Sequence, residues 1–218
     1  MKFTASVISS FFAAALFAAT GVNTVAGSTL APLEVAARQL SPPSFVGGSW
    51  IWSNNSDGND TPAGVSAFRI TIPQLTTTPV NISVAITADN AYNLYLNGNF
   101  IGTGLNFGAP DQWNILNVPG NVGSYVFSVT AINYIADGSV NTAGLIAAFE
   151  LSDTLGPIKN FWTGGVGVKM LAVPNVPEGF QNPDFDDSAW SNATVIGPYG
   201  IAPWGFLITP TLGTTCGF

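Results

Sequence analysis

Residues 80–104 read VNISVAITADNAYNLYLNGNFIGTG, and this stretch decides the fold that the rest of the chain must fit. Over 80–88 apolar residues alternate with polar or small ones, which is typical of a β-strand with one buried face and one face in water. The alternation breaks at Asp89 and Asn90 and then resumes. Asn97-Gly98 predicts a two-residue hairpin turn, because both residues tolerate positive φ. The stretch therefore predicts a strand, an acidic turn and a hairpin in succession.

Further stretches with strand patterns extend this prediction to an all-β domain. In 65–72 the alternation directs Phe68 and Ile70 inward and Arg69 outward, and similar patterns follow the hairpin. Consecutive patterns of this kind, separated by Gly and Pro turns, favour antiparallel pairing. Near the C-terminus, Phe185 and Trp190 of the segment FDDSAW are expected to anchor a turn in the core. Other predicted strands cover 50–52, 113–118, 123–133, 158–162 and 166–173. The apolar run 143–151 is a buried strand or a helix fragment, and its position after a turn favours the strand.

The composition is consistent with a β-sandwich and excludes one class of partner. Of the 218 residues 47% are hydrophobic, and 24 glycines and 15 prolines supply turns. Only 8% are charged, about a third of the usual fraction. The formal net charge is -7, and the basic residues beyond the N-terminal segment are Arg69, Lys159 and Lys169. These are too few to neutralise a phosphate backbone, so we expect no nucleic-acid partner.

The N-terminal composition predicts export from the cell. Lys2 precedes an apolar run of about 13 residues, which is typical of a secretory signal peptide and shorter than the roughly 20 residues that cross a bilayer. We assign 1–19 to a signal peptide whose cleavage could extend to 26, 20–44 to a propeptide or flexible arm, and 45–218 to a single β-sandwich domain. The mature chain is expected to be extracellular, with no membrane partner.

Four sequons and one cysteine follow from that localisation. Asn54, Asn59, Asn81 and Asn192 lie in N-x-S/T sequences and are candidate glycosylation sites. Asn81 falls on the polar face of the 80–88 strand, so the sequon predicts that this face is exposed. Cys216 is the single cysteine. Stability must therefore come from the core, because no intramolecular disulfide can form.

Several of these stretches, in this order, resemble a known family. SWIW, AFRITI, ITADNAYNLYLNG, GLIAAFEL, FDDSAW and YGIAPWG are similar to segments of galactose-binding-like jelly-roll domains attached to rhamnosidases of bacteria and fungi. The resemblance spans roughly 50–205. It implies an antiparallel β-sandwich whose loops at one end take any ligand. In rhamnose-binding members an Asp-Asn pair at a strand end holds calcium, and the matching residues here are Asp89 and Asn90.

Calcium takes six to eight oxygen ligands, so neighbouring loops would have to supply more. Asn106, Asp111 and Asn133 are the candidates. Asp89 and Asn90 have a second interpretation, in which they cap the turn by bonding to their own backbone. For the sugar itself, Trp113 beside Asp111 is expected to expose a ring at the loop end, because pyranoses stack on aromatic faces.

The sequence argues against catalysis. It contains no histidine, which excludes Ser-His-Asp and Cys-His arrangements. A glycosidase needs two carboxylates flanking one bond, and nothing pairs Glu150 or Glu178 with a partner. We therefore expect a secreted, non-catalytic, lectin-like carbohydrate-binding module, with calcium as the cofactor if Asp89 and Asn90 hold the ion. The alternatives are a secreted structural or interaction protein that keeps the sandwich without a sugar site, and a carboxylate-dependent glycosidase. The sequence specifies neither the sugar nor the oligomeric state.

Overall fold

A computed structural model describes residues 40–53, 61–134, 140–172 and 175–218, and this part of the chain is built from strands. In chain order they are β1 (Ser49–Trp52), β2 (Thr61–Pro62), β3 (Gly64–Pro73), β4 (Val80–Asp89), β5 (Ala91–Leu96), β6 (Asn99–Gly104), β7 (Asp111–Val118), β8 (Ser124–Asn133), β9 (Val140–Asn141), β10 (Gly144–Asp153), β11 (Gly156–Trp162), β12 (Val168–Ala172), β13 (Ser191–Asn192), β14 (Thr194–Pro198), β15 (Thr211–Leu212) and β16 (Cys216–Gly217). The described residues include no helix long and apolar enough to cross a membrane.

Some sequence predictions fall outside these residues. The assigned signal peptide and most of the assigned arm lie outside them, as do the sequon asparagines Asn54 and Asn59.

Two large sheets form a sandwich, which confirms the predicted all-β fold. The first has eight strands in the order β14-β1-β10-β4-β7-β15, with β11 also on β10 and β16 also on β7. The second has six, in the order β13-β12-β3-β8-β5-β6, and β2 pairs with β9 in a separate ribbon. Pairing is antiparallel except where β15 and β16 run parallel to β7. The predicted hairpin is present, with φ of 46° at Asn97 and 88° at Gly98 between β5 and β6.

The inner faces of the two sheets enclose the main core. Ile82, Val84 and Ile86 of β4 are fully buried there, and Phe127 meets Phe149 across the interface with ring centroids 4.7 Å apart. These residues are the inward half of the alternation that the sequence displays. Each fully buried aliphatic or aromatic side chain stabilises the fold by roughly 1.5–3 kcal/mol.

The outer face of the first sheet is also covered, and the prediction that this face of β4 is in water is wrong. Ser83, Ala85 and Thr87 are at most 1% exposed. Only Asn81, at the start of the strand, is half-buried. The residues that cover this face form a second set, which we call the outer aromatic cluster. Its buried members are Phe45, Trp50, Ala85, Ile146, Ala148 and Trp204.

A third set of contacts covers part of the outer face of the second sheet. Residues 175–190, which we call the covering segment, lie over β3 and place Phe180 and Trp190 against Ala67. Trp190 is therefore buried as expected, and Phe185 is half-buried with its ring 5.7 Å from that of Trp190.

Arg69 does point out of the sandwich core, as predicted, but it does not reach solvent. The covering segment leaves it 3% exposed. Its Nε donates to Asp187 Oδ2 at 2.8 Å, and its Nη1 donates to the carbonyl oxygens of Phe180 and Asn182. One guanidinium thus binds both a carboxylate and two backbone carbonyls of the covering segment. It holds that segment on the sheet.

We expect Arg69→Met to lower the free energy of unfolding by about 3 kcal/mol, because it leaves Asp187 and the carbonyls of the covering segment without their donor. Lys159→Met is the matched control, since Lys159 is exposed on β11 and its loss should change stability by less than about 0.5 kcal/mol. Urea unfolding measures both. Equal midpoints for the two variants would contradict the role given to Arg69.

Candidate functional site

The chain passes from one sheet to the other at Asp89 and Asn90. Strand β4 of the first sheet ends at Asp89, and β5 of the second sheet begins at Ala91. The peptide bond between Asp89 and Asn90 is cis. Strands β8 and β10 also meet this end, because Asn90 N donates to Ile132 O at 2.9 Å and Gly144 is opposite Asp89. The sequence-predicted pair therefore lies at one end of the sandwich, where several strands converge.

Asp89 is a buried carboxylate that has no cationic partner among the described residues. It is 6% exposed, and its Oδ2 accepts a hydrogen bond from Trp204 Nε1 at 3.0 Å. Burial raises the pKa of Asp89, and the hydrogen bond from Trp204 opposes that rise. Among the described residues the one ion pair joins Arg69 to Asp187, far along β3 from this end. A negative charge at Asp89 is therefore partly desolvated and balanced by a single neutral donor.

The indole of Trp204 reaches Asp89 through the outer aromatic cluster. Trp204 stacks on Trp50, with ring centroids 4.3 Å apart and an interplanar angle of 17°. Gly144 makes room for the stack, since a Cβ there would lie 2.8 Å from atoms of both rings. The sequence analysis quoted the YGIAPWG segment, which contains Trp204, only for its family resemblance; it did not indicate the contact with Asp89, which is 115 residues away along the chain.

Asn90 ties this end to strand β8. Its side-chain oxygen accepts a hydrogen bond from the backbone N of Tyr134 at 2.7 Å, and Asn90 itself remains half-exposed. The Asp89 side chain thus bonds to Trp204 in a distant turn and the Asn90 side chain to the residue after β8, whereas the capping interpretation expected bonds to their own turn. An amide oxygen has two lone pairs, so Asn90 Oδ1 keeps capacity for a further interaction.

Two buried amide oxygens lie on the same side of the sandwich. Asn133 is 2% exposed, and its Nδ2 donates to Thr61 O at 3.0 Å and Pro62 O at 3.1 Å. Asn141 Nδ2 donates to Tyr134 O at 3.2 Å. The Oδ1 atoms of Asn133 and Asn141 are both buried without a hydrogen-bond partner in the described structure. Buried polar atoms normally have a partner, and these two acceptors keep the capacity for one.

Tyr134 is the aromatic residue that the sequence analysis did not select. It follows the last residue of β8, its backbone N binds Asn90, and it is 54% exposed. The sequence contains one signal for it, which is the aromatic residue directly after the polar end of the 123–133 strand. No periodicity distinguishes such a position from an ordinary loop residue.

Asp111 and Asn106, the other two predicted ligands, make their described hydrogen bonds away from the Asp89–Asn90 pair. Asp111 is opposite Ile86, three residues before Asp89, which corresponds to about 10 Å along the strand. Its Oδ2 accepts from the hydroxyl of Tyr92 at 2.7 Å. The Oδ1 of Asn106 accepts from Gly108 N at 3.0 Å within its own loop. Of the three additional ligands predicted, Asn133 is the one whose side-chain oxygen is buried without a hydrogen-bond partner in the described structure.

Trp113 does not expose a ring face, so that prediction is wrong. It is 8% exposed and belongs to the core between the sheets. Its ring fills space beside Gly102 and Gly213, where a Cβ would approach it to 2.1 and 2.7 Å. Its Nε1 donates to the hydroxyl of Tyr92 at 2.9 Å. The indole is therefore a structural part of the Tyr92–Asp111 hydrogen-bond chain.

The side-chain oxygens at the Asp89 end are of types that bind a hard cation, and most of them are neutral. The described residues contain no group of three or more Asp, Glu, His or Cys that could hold a metal ion. What is present is one unpaired carboxylate, an amide oxygen with spare capacity, and two unmatched amide oxygens. Calcium accepts carboxylate, amide and carbonyl oxygens in flexible geometry. The oxygen types present are among those that calcium binds.

Comparison with known proteins agrees with the fold. A lectin of the fungus Pleurotus ostreatus is 31% identical, with a TM-score of 0.66 over 78% of this chain and 48% of the lectin. The same lectin in complex with GalNAc gives 30% identity and a TM-score of 0.65. The resemblance to galactose-binding-like sandwich domains is confirmed.

The galactose-binding-like sandwich also matches part of an enzyme. The α-L-rhamnosidase of Streptomyces avermitilis is 31% identical over 170 residues, which are 75% of this chain and 16% of the enzyme. The structure of that enzyme complexed with L-rhamnose has a TM-score of 0.64. The chain thus spans less than half of the lectin and 16% of the rhamnosidase. No family model matches it.

We expect Tyr92→Phe to lower the free energy of unfolding by about 2 kcal/mol at pH 7, because Trp113 loses its acceptor and the Asp111 carboxylate loses its donor. Tyr125→Phe is the matched control. The hydroxyl of Tyr125 is buried without a partner in the described structure, so removing it should be neutral or stabilising. Chemical denaturation of both variants measures the difference, and equal losses would contradict the assigned chain of hydrogen bonds.

The same variant should change the pH dependence of stability. Burial raises the pKa of Asp111 above 3.8, and the hydrogen bond from Tyr92 opposes the rise. The folded state therefore binds this proton more tightly than the unfolded state, and stability falls as pH rises from 3.8 through the raised pKa. Without Tyr92 the pKa rises further, so the fall should be steeper in Tyr92→Phe than in wild type. Parallel curves would contradict this.

Proposed function

We propose that this chain is a secreted, non-catalytic carbohydrate-binding module that takes its ligand at the Asp89–Asn90 end with the help of calcium. The observation that carries the proposal is the buried Asp89 carboxylate, which accepts a hydrogen bond from the Trp204 indole at the end of β4. Two asparagines near Tyr134, Asn133 and Asn141, have buried side-chain oxygens without a hydrogen-bond partner in the described structure. The lectin of similar fold that was solved with GalNAc supports carbohydrate as the ligand class. The rhamnosidase relative complexed with L-rhamnose agrees with it.

Four residues would hold the calcium ion. Asp89 would supply the charge, and Asn90, Asn133 and Asn141 would supply neutral oxygens. When bound, the ion would neutralise the carboxylate and present open coordination positions to sugar hydroxyls. Trp204 would leave one carboxylate oxygen for this purpose, because its indole already binds Oδ2.

Tyr134 is the best described aromatic platform for a sugar ring at this end. Its ring is 54% exposed, and its backbone is held by Asn90 and Asn141. A tyrosine fixed next to the polar donors can cover the apolar face of a pyranose while amides and hydroxyls bind its polar edge. This residue takes the role that the sequence analysis gave to Trp113.

The positions of the glutamates support a role in binding over hydrolysis. Glu150 follows the inward-facing Phe149 on β10, so its side chain lies on the outer face of the first sheet. Glu178 is exposed in the covering segment over the outer face of the second sheet. The sandwich separates the two, whereas a glycosidase needs its pair of carboxylates about 5–10 Å apart.

A glycan array with and without a calcium chelator tests the function. Wild-type chain should bind at least one glycan class, and chelator or Asp89→Ala should reduce binding by at least about tenfold. Asp184→Ala, an exposed carboxylate of the covering segment, is the matched control and should leave binding unchanged. A folded wild-type chain that binds no glycan would contradict the proposal and favour a structural or interaction role. Glycan binding that neither the chelator nor Asp89→Ala reduces would contradict the calcium site.

Tyr134→Ala should weaken binding of the glycan found on the array by about 3- to 10-fold, as the loss of one aromatic contact predicts. Its melting temperature should stay close to that of wild type, because the ring is mostly in solvent. Phe206→Ala removes another exposed aromatic ring, 80% exposed, and should change neither property. Titration calorimetry measures the affinities. Unchanged affinity in Tyr134→Ala would remove the tyrosine from the site.

A further inference from the structure

The sequon at Asn192 has no role in the proposed function. Asn192 is in β13, the last strand at one edge of the six-stranded sheet. Both residues of β13 are exposed. Ala193, the next residue, packs against the core between the sheets. Because neighbouring side chains in a strand point to opposite faces, the Asn192 side chain points away from the core.

Asn81, the other sequon within the described residues, has a different setting. It lies on β4, which has β10 on one side and β7 on the other. Its Oδ1 accepts from Asn117 N at 3.0 Å, and it is half-buried. The hydroxyl residue of that sequon, Ser83, is fully buried and donates to Asn114. A glycan on Asn81 would have to leave the sheet between two paired strands.

We propose that Asn192 carries an N-linked glycan and that Asn81 does not. The Nδ2 atom forms a bond to the anomeric carbon of an oligosaccharide linked to lipid pyrophosphate. The bond from that carbon to the pyrophosphate oxygen breaks, lipid pyrophosphate leaves, and the amide loses one proton. No oxidation or reduction occurs. The proposal rests on secretion, which is part of the proposed function.

The glycan would protect a sheet edge and leave the Asp89 end open. Asn192 is opposite Lys169, which is opposite Arg69. Arg69 is five residues from Gly64, the partner of Asn133, so about 17 Å of strand separates the glycan from the candidate site. An edge strand presents unpaired backbone groups that invite pairing with another chain. A bulky solvated group on this edge blocks such pairing.

Expression of the full chain in a eukaryotic secretory host tests the proposal. Peptide-resolved mass spectrometry, before and after treatment with an enzyme that removes N-glycans, identifies each modified asparagine. In the secreted wild-type chain the peptide with Asn192 should carry glycan and the peptide with Asn81 should not. Asn192→Gln should lose that modification and associate more at high concentration, as light scattering measures. Asn81→Gln is the matched control and should behave as wild type.

Each of the other outcomes contradicts one stated part of the glycosylation proposal. A secreted chain with bare Asn192, or with glycan on Asn81, overturns the site assignment and leaves secretion intact. A chain that stays in the cytosol without glycan overturns both the glycan and the secretion on which it rests. Asn192→Gln that scatters light no more than Asn81→Gln overturns the protection of the edge.

Discussion

Strand β4 is covered on both faces, and the rest of the structure depends on that double covering. Its inner face joins the core between the sheets, and its outer face meets the outer aromatic cluster. Covering the outer face requires the chain to return after β14 and place Trp204 over β4 and β10. The same return brings the Trp204 indole to Asp89, where β4 ends. The packing that stabilises the central strand therefore also fixes the candidate ligand.

That fixed carboxylate is costly for the fold. Burial raises the pKa of Asp89, so its ionised form is disfavoured in the folded protein, and one neutral indole donor offsets this only in part. Charges are seldom buried without a partner. Asn133 and Asn141 add two desolvated acceptors in the same region. Under the proposed function, a cation that bound these groups would offset the cost.

The sequence predicted the strands well because period-two alternation records which side chains face the inner core. It predicted the outer faces poorly, because what covers them comes from distant segments. Ser83 and Thr87 look like surface residues, yet the outer face of their sheet is covered. Arg69 looks like a solvated cation, yet the covering segment encloses it. The alternation of small or charged residues revealed neither the Asn114 and Phe107 partners of Ser83 and Thr87 nor the Asp187 partner of Arg69, which is 118 residues away.

The candidate site was predictable in part. The Asp89–Asn90 pair follows from the break in the strand and the family resemblance, whereas Asn133 was one of three further ligand candidates among which the sequence did not choose. The prediction that Trp113 exposes its ring failed, because a tryptophan after a polar loop resembles a binding residue. Gly102 and Gly213 instead leave space for the ring in the core. The sequence did not indicate Tyr134, because a single aromatic residue after a strand forms no pattern. What distinguishes Tyr134 is the hydrogen bond from its backbone N to Asn90.

Calorimetric titration of calcium into the metal-free protein tests the central claim most directly, with wild type compared to Asp89→Asn. The asparagine keeps an acceptor for Trp204 and removes only the charge. The account predicts one binding event in wild type and affinity at least about tenfold weaker in Asp89→Asn. Wild type that binds no calcium, or binding of equal affinity in the variant, would contradict it.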